Sequence, residues 1–118
     1  KKKQKKTKVK NIRKKRNIEN VVDALEKIRK INGVSFFWKG EEKGQERQMG
    51  VIAQEVEKEF PELVITDDEG YKAVNYNGLI APLIEAIKEQ QEQIDALTDE
   101  NKKAQRQIDD LRALVEEK

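Results

Sequence analysis

Neither cysteine nor histidine occurs among the 118 residues. Disulfides and thiolate nucleophiles are thereby excluded, along with the commonest general base and most transition-metal sites, so no metal and no cofactor is expected. Serine is almost missing too, Ser35 being the only one. The glycines form no phosphate-cradling loop. No apolar run approaches the ~20 residues of a membrane span, and no apolar segment of a secretory signal follows the lysine-rich start. The expectation is a soluble protein with no membrane contact.

What the chain has in abundance is charge. Lys, Arg, Asp and Glu make up 41% of it, against 36% hydrophobic residues. The net charge of +2 hides an asymmetry. Eleven of the 25 Lys and Arg fall within residues 1–16, which hold no acid, leaving fourteen against 23 acids (a balance of −9) in the rest. Residues 1–16 therefore read as a basic arm or linker with nothing to bury. No aromatic side chain is interleaved for base stacking, which makes nucleic acid an improbable partner. A leucine-zipper DNA-binding arrangement is excluded, because some sixty residues separate the basic run from the heptads described next.

Residues 79–118 read as one long helix. With Ile80 at heptad position a, the a positions are Ile80, Ile87, Ile94, Asn101, Ile108 and Val115, and the d positions are Leu83, Gln90, Leu97, Ala104 and Leu111. Eight of these eleven carry Ile, Leu or Val, a repeat that predicts a coiled coil. Forty residues span roughly 60 Å at about 1.5 Å each. A 118-residue monomer has no core long enough to cover such a stripe, so the expected partner is another copy. The heptads leave the copy number open. Ile at a, Leu at d and a lone Asn101 at a fit a parallel dimer, whereas Ile84 (e), Ala86 (g) and Leu114 (g) widen the stripe toward three helices.

Between arm and helix lie about sixty residues, near the lower limit for independent stability. Residues 17–31 show a helical period, with Ile18, Val21, Val22, Leu25 and Ile28 on one face, Asn17 as N-cap and Asn32-Gly33 as stop. Residues 34–39 (VSFFWK) alternate as a strand and, holding two phenylalanines and the tryptophan, are the expected centre of the core. Residues 40–48 have no apolar side chain and read as an exposed loop or hairpin tip. Ile52, Val56 and Phe60 mark a short helix that Pro61 ends. Residues 63–66 and 71–76 flank Asp67-Asp68-Glu69-Gly70 as a hairpin. The fold class is therefore α+β, a small helix and hairpin domain (17–78) followed by the long helix (79–118).

The order of these pieces resembles the C-terminal intramolecular chaperone domain of bacteriophage tail spikes, tail fibres and neck appendages, the family classed as peptidase S74. The resemblance rests on Asn17-Ile18, Gly33-Val34-Ser35-Phe36-Phe37-Trp38-Lys39, Gly50-Val51-Ile52-Ala53-Gln54-Glu55-Val56, Phe60-Pro61-Glu62-Leu63-Val64, Val74-Asn75-Tyr76 and the stretch from Leu79 to Gln90. It implies a parallel homotrimer that brings three chains into register, so that an upstream β-helical stem of the same polypeptide folds. It places the protein in the virion, or in the host cytoplasm during assembly. Family members are then released by autoproteolysis with a Ser-Lys dyad, in a Ser-Asp-x-Arg-Leu-Lys-x-Asn-Ile motif.

That motif is degenerate here. Its Lys falls on Lys15, the candidate base, but Lys10 and Asn11 stand at the Ser-Asp positions and Lys14 at the Leu. Without a hydroxyl at position 10 the nucleophile is missing. The resemblance to a self-cleaving serine endopeptidase thus stops short of an activity. Two other readings stand beside the chaperone: a trimerisation module that stays attached, and an auto-processing domain of a DNA-binding factor such as the related domain of the myelin regulatory factor group.

Overall fold

Every element but the last is short. The computed structural model describes residues 11–40 and 46–117, so the first ten residues of the basic arm, with Lys10, and most of the charged loop lie outside the described residues. In chain order the elements are α1 (Ala24–Ile28), β1 (Val34–Phe36), β2 (Gln48–Gly50), α2 (Ala53–Glu59), β3 (Val64–Thr66), β4 (Lys72–Val74) and α3 (Ile80–Glu116). Short 3-10 turns cover Ile12–Lys14, Pro61–Leu63 and Tyr76–Leu79. The result is an α+β domain followed by a long helix. The Cα radius of gyration is 23.5 Å, against roughly 13.5 Å for a compact chain of this length. A helix projecting from a small body accounts for the difference.

The helix expected over 17–31 is largely absent. α1 has five residues, and both Asn17 (φ 52°) and Asp23 (φ 55°) adopt left-handed backbone. A left-handed residue at position 23 stops the helix from running further upstream, where β-branched Ile18, Val21 and Val22 also disfavour it. Asp23, not Asn17, is the N-cap, and its side chain makes no capping bond. The two leading N–H groups of α1 instead donate to a carboxylate 65 residues away. Ala24 N–H reaches Glu89 Oε2 at 3.1 Å and Leu25 N–H reaches Glu89 Oε1 at 3.4 Å. Tertiary contact here supplies what local capping does not. After Ile28 the chain continues through single turns to Asn32, whose backbone N–H donates to Glu55 Oε1 at 3.0 Å.

Two antiparallel hairpins complete the domain. β1 pairs with β2 with Ser35 opposite Met49, and β3 pairs with β4 with Ile65 opposite Ala73. Met49 and Gly50 are therefore strand, and the helix marked by Val56 begins after them. The second hairpin turns through Asp67, whose Oδ1 accepts from Glu69 and Tyr71 N–H at 2.9 Å each, and Gly70 takes φ 90°. Asp at the start and Gly at the positive-φ position are what such a turn requires.

The core is not centred on the aromatic strand. Its buried members are Val56, Phe60 and Leu79, with Val21, Ile28, Ile31, Leu63, Val64 and Val74 packed against them. Phe37 and Trp38 are 47% and 59% exposed. The alternation along β1 sends only Val34 and Phe36 inward, and Trp38 lies past the strand end with its ring edge-on to Phe36 at 5.0 Å. Ile52, at the mouth of α2, is 40% exposed, so the expected Ile52-Val56-Phe60 face is buried at its last two positions only.

Candidate association surface and cleavage region

Pro82 is the third residue of α3, where no intrahelical donor is lost, and the helix passes through it without interruption. Pro82 and Ala86 are buried, and Glu89 follows at the next turn. Spacings of four and three put all three on one face, the one that packs against α1. This removes Ala86 from the wide stripe read from the heptads. Its small side chain lets α1 of the same chain approach closely.

The adjacent face carries the heptad residues, and the described residues of the small domain leave it largely uncovered. Ile80, Leu83, Ile87, Ile94, Leu97, Ile108, Leu111 and Val115 are all exposed, at 44–71%. Gln90, Asn101 and Ala104 lie exposed on the same stripe. Ile84 and Leu114 add 52% and 58% exposed apolar side chains beside it. A helix of 37 residues is about 55 Å long, and ten exposed aliphatic side chains along it make an apolar strip of a kind that marks an interaction surface. Below Glu89 the polar side-chain bonds of α3 stay within the helix among the described residues. Gln91 Nε2 donates to Asp95 Oδ1 at 2.9 Å, and Gln105 Nε2 to Asp109 Oδ1 at 3.0 Å.

Near the amino terminus Asn11 Oδ1 accepts from Arg13 N–H at 2.8 Å and caps a single 3-10 turn. Lys15 closes that turn with extended backbone (φ −117°, ψ 151°) and is exposed. Its intended nucleophile position, Lys10, lies outside the described residues. Ser35 does not substitute for it. Ser35 Oγ accepts from Arg47 Nε at 2.7 Å, Arg47 Nη2 donates to Ser35 O at 3.1 Å, and the guanidinium lies 4.6 Å from the Phe37 ring centre. That serine is a hairpin clasp with a cation as neighbour, and a cation supplies no base. Lys72 Nζ donates to Thr66 Oγ1 at 2.8 Å and pairs with Glu57 at 3.1 Å, tying the second hairpin to α2.

Several residues of the stretches that carry the family resemblance hold the fold together. Glu55 holds Asn32, whose side-chain Nδ2 also donates to its carboxylate. Tyr76 OH accepts from Val51 N–H at 3.4 Å and sits where a Cβ on Gly50 would lie 2.7 Å from it. Asn75 Oδ1 accepts from Gly78 N–H at 3.1 Å, and Gly78 is confined because a Cβ there would collide with the Leu63 side chain. Among the described residues no helix is long and apolar enough to cross a membrane.

Two comparisons with known proteins find sequence relatives of this chain. The family model Peptidase_S74, described as chaperone of endosialidase, matches residues 11–65, which end at the second hairpin. The long tail fiber protein Gp37 of Escherichia phage AR1 is 38% identical over 86 residues, covering 67% of this chain. The chain spans 8% of that protein's length.

Proposed function

The chain carries a domain of the Peptidase S74 family, the chaperone of endosialidase, and on that premise we propose that it is the trimerising, register-setting chaperone segment of a phage fibre or appendage polypeptide. The observation that carries the reading is the exposed apolar stripe of α3, which no described part of the chain covers. Three parallel copies bury it among themselves, with Ile84 and Leu114 accommodated by a three-helix seam more fully than by two. Asn101 penalises shifted helices by setting a buried amide against apolar neighbours.

The benefit to the upstream stem is kinetic. Chains that must wrap around each other form non-local pairings slowly and are exposed to misregistered, aggregating states. Helices that associate first raise the effective concentration of the stems and align them. The work belongs to assembly, in the host cytoplasm or on the nascent virion. Cleavage is not needed for it: in this chain Lys15 is the retained base position of a dyad whose nucleophile position is Lys10.

The test is production of the longer fibre polypeptide with and without residues 11–117. The proposal expects the yield of soluble, trimeric stem to fall about ten-fold or more without them, an effective-concentration effect. Equal yields would overturn it. Intact mass of the same polypeptide is expected to show one full-length species.

A further inference from the structure

Beside the top of α3 lies a cleft of about 180 Å³ lined by Ile28, Ile31, Gly33, Val51, Leu79 and Leu83. It joins the core of the small domain to the exposed stripe, because Leu79 belongs to the core and Leu83 to the stripe. In the heptad frame Leu79 is a g position. In parallel helices each g residue faces the e residue five positions later on the neighbouring chain. The residue opposite Leu79 is therefore the neighbour's Ile84.

The e positions of α3 are Ile84, Gln91, Thr98, Gln105 and Arg112, and only the first is apolar. It falls at the level of this apolar cleft of the small domain. Within its own chain Ile84 stays 52% exposed, because that chain's small domain covers the opposite flank through Pro82, Ala86 and Glu89.

We infer that this cleft is a socket for Ile84 of a second copy of the chain, so that each small domain clamps the neighbouring helix as well as its own. This rests on the parallel self-association proposed above and adds a contact that the coiled-coil seam does not need. It ties the small domains to the assembled stalk. A domain without a neighbour has an unfilled core edge, and the three domains become fixed around the helices only once the helices have paired.

Introduced cysteines are unique in a chain that has none, which allows a direct test on the full 118-residue protein. A Cβ at Gly33 meets no atom within 4 Å, so Gly33→Cys fits the cleft wall without displacing a neighbour. The variant with Gly33→Cys and Ile84→Cys is expected to form disulfides between chains at least about ten-fold faster than a control with Gly33→Cys and Thr98→Cys, reflecting local effective concentration. Light scattering on the same samples gives the molar mass. Interchain linkage at the control's rate, or linkage within one chain, in a protein of multimeric mass overturns the socket and leaves self-association standing. A monomeric mass for the unsubstituted chain overturns self-association itself.

Discussion

The upper and lower halves of α3 are held helical by different means. Down to Glu89 the helix has a tertiary partner: Pro82 and Ala86 are buried against α1, and Glu89 caps α1 through two backbone N–H groups. Below that, residues 90–116 are exposed on all sides, yet Ile94, Leu97, Ile108 and Leu111 keep the same heptad register. A helix that packs on nothing in its own domain and still spaces its apolar residues regularly carries the pattern of a coiled-coil seam, which is what the proposed self-association uses. The upper half is therefore a joint between domain and stalk, and the lower half is stalk alone.

Breaking the lower half is expected to have the largest effect. Leu97→Asp combined with Ile108→Asp places carboxylates in two layers of the seam, one on either side of the Asn101 and Ala104 layers, and the expected result is a monomeric mass by light scattering. Circular dichroism would then show the helical signal falling by roughly half, since a long helix without a partner is marginal in water. Phe60→Ala attacks the other region. It removes a 4% exposed ring from the small core and is expected to cost about 3–5 kcal/mol in the domain's unfolding transition, with multimeric mass retained.

Glu89→Ala probes the joint. Two N–H groups of α1 lose their acceptor, an expected loss of about 1–3 kcal/mol, whereas Glu92→Ala, exposed and one turn lower, is expected to change thermal stability by less than about 0.5 kcal/mol. Asn101→Ile sharpens the comparison in the opposite direction. It should stabilise the stalk by roughly 1 kcal/mol per chain by removing a buried amide, while cross-linking shows a second register that the Asn101 protein lacks. Smallest of all is Lys15→Ala. The side chain is exposed, so stability is expected to move by less than about 0.5 kcal/mol, and the longer polypeptide should keep its single intact mass.

How legible each part was in the sequence follows from how local its cause is. The stalk was readable because a seven-residue repeat needs no knowledge of the rest of the fold. The second hairpin was readable because Asp67 and Gly70 carry its turn chemistry. The extent of α1 was not, since its cap is Glu89, 65 residues later, and the two left-handed residues before it have no strong signal in Asn or Asp alone. The aromatic strand misled about the core because β1 ends at Phe36, leaving Phe37 and Trp38 beyond it, while Leu79 looked like stalk and is the third core residue. Ala86 was ambiguous in principle: a small apolar g residue suits either a neighbouring helix or the chain's own domain, and it serves the latter. Of the two dyad positions only Lys15 lies among the described residues, and the sequence alone already shows that position 10 carries no hydroxyl.

In the proposed assembly the exposed stripe of α3 is covered by two further copies of the chain. The most direct measurement is the molar mass of the 118-residue protein by light scattering across a range of concentrations. For the three-helix assembly the expected value is constant and near three times the 13.7 kDa chain mass. A constant value near one chain mass would mean that the stripe has no partner among copies of this chain, and a value near two would replace the three-helix seam with a dimer.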